Sequence, residues 1–368
     1  MSQYQYVVTD FGATGDNQTN DAPAFQQAID AALILDALRA LGSSGKSVCM
    51  PQLRRLAILD DYQGVTLGLG PWERLPHLEK VVFRDTLADR DALVERLAGF
   101  DAILAMRERT PFPAELLARL PELRLLITTA ERNRAIDAAA CAARGITFCG
   151  TPSEGAPTVD LTWGLILALA RRIPEQVAAL HAGRWQTAIG VGLEGKVLGV
   201  VGLGKLGRRV AAVGKAFGMK AVAWSQNLSD ADAVAAGAVR VEKRELFAVA
   251  DVVTLHYLLS ERSRGIVGAA ELAAMKRSAF LVNTSRGPLV DQEALVAALH
   301  EGRIAGAGID VFDVEPLPAG HPLLSAPNTV LTPHLGYVTE ENYRAYFKGA
   351  VEAIEAYEAG APVRVISG

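Results

Sequence analysis

An arginine, a carboxylate and a histidine stand at the ends of three apolar runs toward the C-terminal end of the chain. They are Arg286 in Leu281–Asp291 (LVNTSRGPLVD), Glu315 in Ala305–Pro316 (AGAGIDVFDVEP) and His334 in Leu331–Gly336 (LTPHLG). An imidazole titrates near pH ~6.5, so it can both give and take a proton near neutrality. A neighbouring carboxylate favours its charged form. A guanidinium offers a planar pair of donors that matches a carboxylate, which an ammonium cannot copy. Together these groups could anchor an acid and protonate a carbonyl. Asp313 stands close to Glu315 in sequence and is a rival partner for the histidine.

A second motif lies upstream, Gly202-Leu203-Gly204-Lys205-Leu206-Gly207, directly after the buried-strand pattern VLGVV. In such a turn Gly202 permits the tight bend, Gly204 lets the backbone approach a pyrophosphate, and Gly207 lets helix and strand pack closely. The helix that follows offers free N–H groups and a positive dipole end to phosphates. The ribose-binding acid expected about 20 residues on is replaced by Ser225, followed by Gln226 and Asn227. Serine neither grips the ribose strongly nor repels a 2′-phosphate, and no arginine follows immediately, so NAD and NADP both stay open. His256 ends another strand pattern and either lines this cleft or sits in the core. A proton donor beside a dinucleotide points to hydride chemistry.

The elements that must position these groups read as parallel α/β architecture, because strand-like runs alternate with helical patterns from Leu53 onward. In the first block the expected strands are Arg55–Asp60, Lys80–Phe83, Ala102–Ala105, Leu123–Thr128 and Ile146–Cys149, with a helix at Asp91–Ala98. A long helical stretch from Val159 to about Leu180 leads into the second block. Its expected strands are Val197–Val201, Ala221–Trp224, Val252–His256, Ala279–Asn283, Ala307–Asp310 and Val330–Thr332, the six that a doubly wound dinucleotide domain requires. A last amphipathic helix, Glu340–Tyr357, is expected to pack back on the first block. The expected division is therefore 1–52 as an atypical extension, 53–155 plus 337–368 as a discontinuous substrate domain, and 156–336 as the dinucleotide domain.

Composition bounds the function. The 368 residues are 50% apolar and 21% charged, which describes a globular chain long enough for two domains. A net charge of −4 argues against a general nucleic-acid binder. The three cysteines, Cys49, Cys141 and Cys149, show no CxxC and no metal-ligand spacing. Reduced thiols and a cytoplasmic location are the expectation. No signal peptide is visible at the N-terminus. The longest apolar run, Leu161–Ala170, is far too short to span a bilayer.

Taken with the glycine motif, the three C-terminal stretches resemble the D-2-hydroxyacid dehydrogenase family from about Leu53 to Ile366. The resemblance implies a flavodoxin-like substrate domain beside a Rossmann domain, a D-specific exchange of hydride between NAD or NADP and a 2-hydroxy/2-oxo acid, and a homodimer. It implies that Arg286 binds the substrate carboxylate, Glu315 orients and charges the histidine, and His334 is the general acid–base. Asp310 would contact the nicotinamide carboxamide, and Thr284 and Gly336 belong to the implied cofactor site. The stretch Ala105–Phe112 (AMRERTPF) matches a strand-end motif of the family, making Arg107 and Arg109 substrate-binding candidates. The next turn, Thr128–Arg134, departs from the family by lacking glycine. With only a short stretch after His334, a C-terminal regulatory domain is not expected. The carboxy-terminal-binding corepressors share this resemblance, so a non-catalytic, NAD-sensing interaction protein is the alternative. Residues 1–52 resemble the opening of pectin-lyase-like β-helix proteins, without the repeats such a solenoid needs.

Overall fold

The computed structural model describes residues 52–367, so the expectations for 1–51, including the pectin-lyase resemblance and Cys49, lie outside the described residues. Two parallel sheets carry the fold. The first contains β1 (Arg55–Ile58), β2 (Glu79–Val82), β3 (Ala102–Ala105), β4 (Leu125–Thr128) and β5 (Thr147–Gly150) in the order β2-β1-β3-β4-β5. The second contains β6 (Val197–Val201), β7 (Lys220–Trp224), β8 (Val239–Arg240), β9 (Val252–Leu255), β10 (Phe280–Asn283), β11 (Gly306–Ile309) and β12 (Thr329–Leu331). Its order is β12-β11-β10-β9-β6-β7-β8. Each order reverses once at its first strand, which is the doubly wound pattern.

Central strands such as β3 and β6 read as unbroken apolar runs because helices cover both faces of the sheet there. In β3, Ala102 and Leu104 join a core with the helix Glu340–Glu358, while Ile103 and Ala105 join the opposite core with Leu93, Leu97 and Leu117. The terminal helix thus packs on the first sheet through Tyr343, Tyr346, Phe347, Ala350 and Ile354. On the second sheet, Leu198, Val200, Val252 and Val282 pack against Trp163, Leu165 and Ile166 of the helix Pro157–Ala170 and Val210 of the helix Lys205–Ala216. The chain leaves the first sheet through residues 151–156 and returns to it after Gly336, and Thr158 Oγ1 ties the two passages by donating to the Gly336 carbonyl at 2.7 Å.

Two expectations need correction. The stretch from Val159 to Leu180 is two helices, Pro157–Ala170 and Ile173–His181. Arg172 takes a left-handed conformation with φ 52° between them, and Pro174 cannot supply the N–H that a continuous helix needs. The second sheet has seven strands rather than six. The extra one, β8, is two exposed edge residues with no apolar run to announce it.

Candidate active site

The carboxyl ends of both sheets meet at a cleft, where sheets of this kind bind ligands. One cavity of about 730 Å³ is lined by Arg107, Glu108 and Arg109 from the first sheet and by Arg286, Glu315 and His334 from the second. A second of about 690 Å³ again includes Arg107, Glu108 and Arg286, now with Lys205, Tyr257 and Ser285. The cleft therefore contains the three chemical residues read from the sequence.

His334 and Glu315 are in direct contact, with Glu315 Oε2 accepting from His334 Nδ1 at 2.6 Å. Glu315, rather than Asp313, is therefore the histidine's partner. Glu315 Oε1 also accepts from the Phe312 amide at 2.9 Å. Burial alone would raise the Glu315 carboxyl, but the hydrogen bond and charge of His334, the Phe312 amide and Arg109 outweigh it and hold it below its ordinary range. His334 sits at φ 53°, a conformation that costs a side-chain-bearing residue about 1–2 kcal/mol.

The loop is held in that shape by Asp310. Its Oδ1 accepts from Thr332 Oγ1 at 2.6 Å and the Leu335 amide at 2.7 Å, and its Oδ2 accepts from the Gly336 amide at 2.9 Å. The Asp310 side chain is fully buried. Asp310 is thus the clamp of the histidine loop, because its strand ends directly beneath that loop. Gly336 is fixed by the same clamp. Thr284, also expected at the cofactor, is buried with its Oγ1 at 2.8 Å from Thr162 Oγ1.

Arg109 is engaged with the same loop. Its Nε and Nη2 donate to the Tyr337 hydroxyl at 3.1 and 3.0 Å, Nη2 also donates to the His334 carbonyl at 3.3 Å, and Nη1 lies 3.3 Å from Glu315 Oε2. With a side chain only 7% exposed, it braces the histidine pair at the wall of the cleft. Arg286 is bonded to neither His334 nor Glu315. Its Nη2 donates to Glu108 Oε1 at 2.8 Å and its Nη1 to the Ser285 carbonyl at 2.7 Å.

The turn Thr128–Arg134 shows why its missing glycine matters. Ala130 occupies the left-handed region at φ 70°, where glycine would be unstrained. Asn133 stabilises the turn, donating to Thr128 Oγ1 at 2.9 Å and accepting from the Ala135 amide at 2.9 Å. Arg134 reaches across to the Leu259 carbonyl at 2.7 Å, while Glu131 and Arg132 are exposed.

The glycine motif is built as a cradle. Gly202 has φ 96°, and a Cβ there would strike the His256 carbonyl; one on Gly207 would strike the Gly202 carbonyl. A Cβ on Gly204 would meet nothing, so this backbone is open at the N-terminus of the helix Lys205–Ala216. That combination fits a dinucleotide pyrophosphate. Leu206 turns its side chain into the neighbouring core, while Lys205 is exposed at the cleft. Ser225 Oγ accepts from the Leu203 amide at 3.2 Å, and the Gln226 amide lies 3.4 Å from the Tyr257 hydroxyl. Ser225, Gln226, Asn227 and His256 line one cleft of about 500 Å³ with Arg208 and Arg262. Burial pushes the His256 imidazole down to about 4, so it is neutral, with Nε2 at 3.0 Å from Thr254 Oγ1.

Four contributors escaped the sequence reading: Glu108, Tyr337, Arg208 and Arg262. Glu108 stood in plain view between two arginines, but nothing local marks a contact to Arg286. Among the described residues there is no His/Cys/Asp/Glu group able to hold a metal, and no helix long and apolar enough to cross a membrane.

A family model described as the NAD binding domain of D-isomer specific 2-hydroxyacid dehydrogenases matches residues 163–336. A glyoxylate reductase of Korarchaeum cryptofilum is 34% identical over 292 residues, spanning 77% of this chain and 88% of that protein. A glycerate dehydrogenase of Methylorubrum extorquens is 35% identical over 287 residues, spanning 75% and 88% respectively. Among solved structures, a phosphoglycerate oxidoreductase from Vibrio cholerae superposes with a TM-score of 0.80 at 40% identity, covering 84% of this chain and 100% of that one.

Proposed function

Because the chain belongs to the D-isomer specific 2-hydroxyacid dehydrogenase family, we propose that it reduces small 2-oxo acids to D-2-hydroxy acids with NADH or NADPH, with glyoxylate and hydroxypyruvate as the first substrates to try. The observation that carries this reading is the 2.6 Å contact between His334 Nδ1 and Glu315 in a cleft shared with Arg286. When bound, the nicotinamide supplies the hydride. Glu315 occupies Nδ1 and leaves Nε2 as the nitrogen that passes a proton to the carbonyl oxygen. Arg286 holds the substrate carboxylate. The open backbone at Gly204, Lys205 and Leu206 holds the pyrophosphate, and Ser225, Gln226 and Asn227 border the adenosine ribose.

The substrate domain of this reading comprises 53–155 and 337–368, and the dinucleotide domain 156–336. A homodimer belongs to the same reading. Ile173, Val177, Leu180, Trp185, Ile189 and Val191 are all exposed between 173 and 191, apolar surface that a second copy would cover. So does a cytoplasmic location, which suits the buried, unpaired Cys141 and Cys149. The rival reading, a non-catalytic NAD-sensing protein, is not favoured by relatives named as reductases and dehydrogenases. A screen of NADH and NADPH oxidation against glyoxylate, hydroxypyruvate, phenylpyruvate and longer 2-oxo acids tests the assignment. No oxidation with any of them sinks it.

A further inference from the structure

We propose that Glu108 is a resident competitor for Arg286, whose guanidinium it holds until a substrate carboxylate displaces it onto Arg107. This rests on the reading of Arg286 as the anchor for the acid.

Both terminal nitrogens of Arg286 already have acceptors, Nη1 the Ser285 carbonyl and Nη2 the Glu108 carboxylate. Glu108 and Arg286 come from opposite sheets, and both line the two large cavities of the cleft. Their ion pair therefore stands where those cavities meet, on the path between the His334 side and the Lys205 side. A second carboxylate approaching the same guanidinium would meet like charge at close range. One of the two anions must yield.

The structure provides a place for Glu108 to go. Its Oε2 is buried without a hydrogen-bond partner, and so is Arg107 Nε. Glu108 Oε2 lies 3.6 Å from Arg107 Nη2, an ion pair that stops just short of a hydrogen bond. Buried donors and acceptors left unmade are costly, so adjacent complementary ones favour a small rearrangement that joins them. Arg107 is anchored to receive the carboxylate: its amide donates to Thr129 Oγ1 at 2.8 Å, and Nη1 reaches the Thr129 carbonyl at 3.5 Å. Burial would raise the Glu108 carboxyl, but Arg107 and then Arg286 outweigh it and keep the group ionised. It thus competes as an anion.

The test is Glu108→Gln, which keeps the shape and removes the charge. The expected result is a KM for glyoxylate about fivefold lower, or ~1 kcal/mol, with a parallel drop in the inhibition constant of oxamate, a non-reacting carboxylate. Arg107→Ala is expected to raise KM in the wild-type background and to lose most of that effect in Glu108→Gln. An unchanged or higher KM in Glu108→Gln overturns the proposal, as does an Arg107→Ala penalty of equal size in both backgrounds. Fluorescence titration with NADH checks that each variant is folded. If Glu108→Gln fails that check, Glu108→Ala, which also removes the charge, is read the same way. A wild-type protein that reduces no 2-oxo acid defeats the substrate reading itself. An active wild type whose Glu108→Gln variant gains nothing defeats only the competitor.

Discussion

Arg109 Nη1 lies 3.3 Å from Glu315 Oε2, so a side chain from the first sheet braces the imidazole–carboxylate pair carried by the second. The same guanidinium donates to the His334 carbonyl and to the Tyr337 hydroxyl. Arg109→Ala leaves a buried carboxylate and a buried phenol each short of a partner. We predict a loss of about 2–4 kcal/mol of stability, since breaking buried charged contacts costs that much, together with a reduced kcat. Arg109→Lys should recover only part of both, because one ammonium cannot reach three acceptors in a fixed fork. Denaturation curves and kcat for the two variants check this. A Lys variant equal to wild type would show that the fork geometry is irrelevant.

His334→Ala should lower kcat/KM by about 10²–10⁴, the usual contribution of a positioned acid–base group. NADH binding, read by fluorescence, should survive, because the imidazole is remote from the Gly202–Gly207 turn in sequence and in contacts. Full turnover in the variant would remove His334 from the chemistry.

The neutral, half-buried His256 predicts a pH effect with a definite sign. Its folded value is depressed to about 4 from an ordinary 6.5, so the unfolded chain binds the extra proton between those values. Stability is therefore present above pH ~6.5 and is lost as pH falls toward 4, by about 2 kcal/mol between pH 8 and 5. His256→Gln, which cannot titrate, should flatten that part of the urea-midpoint profile. An equally steep profile in the variant would assign the slope to other groups.

Cofactor choice should respond to Ser225→Asp. A carboxylate at the end of β7 accepts from ribose hydroxyls and repels a 2′-phosphate. The ratio of kcat/KM for NADH over NADPH should rise tenfold or more, ~1.4 kcal/mol. A ratio that stays fixed would move the discrimination to Arg208 or Arg262, which line the same cleft.

Association should depend on the exposed apolar residues between 173 and 191. Trp185 and Ile189 are 76% and 93% exposed, more than isolated surface residues need. Trp185→Glu combined with Ile189→Glu should convert a dimer to a monomer in light scattering. A wild-type protein already monomeric would reject the homodimer.

Most strands were legible because a strand buried on both faces must be apolar without interruption, as in Val197–Val201 and Ala102–Ala105. The edge strand Val239–Arg240 was not, since two exposed residues carry no such signal. The break at Arg172 was hidden by the apolar pattern that continues through it, although Pro174 offered a hint. Within the site, residue types named the chemistry of Arg286, Glu315 and His334. The first-sheet partners of Arg286 and Glu315 were invisible because no local pattern encodes the contacts of Glu108 and Arg109 with loops so distant in the chain. The grip of Asp310 on the histidine loop was hidden for a related reason: a carboxylate at a strand end looks the same whether it faces a ligand or the next loop.

The bond from Thr158 to the Gly336 carbonyl has a consequence for how such a chain can be built. It places the entry and exit of the second sheet side by side, so the two covalent passages between the sheets run together. A unit with adjacent ends can be inserted into a host loop, or exchanged for another, without pulling the host apart. The architecture is therefore that of a cassette. A shortened chain joining the 151–156 passage to the Tyr337 side should retain the first sheet and its terminal helix as a folded body.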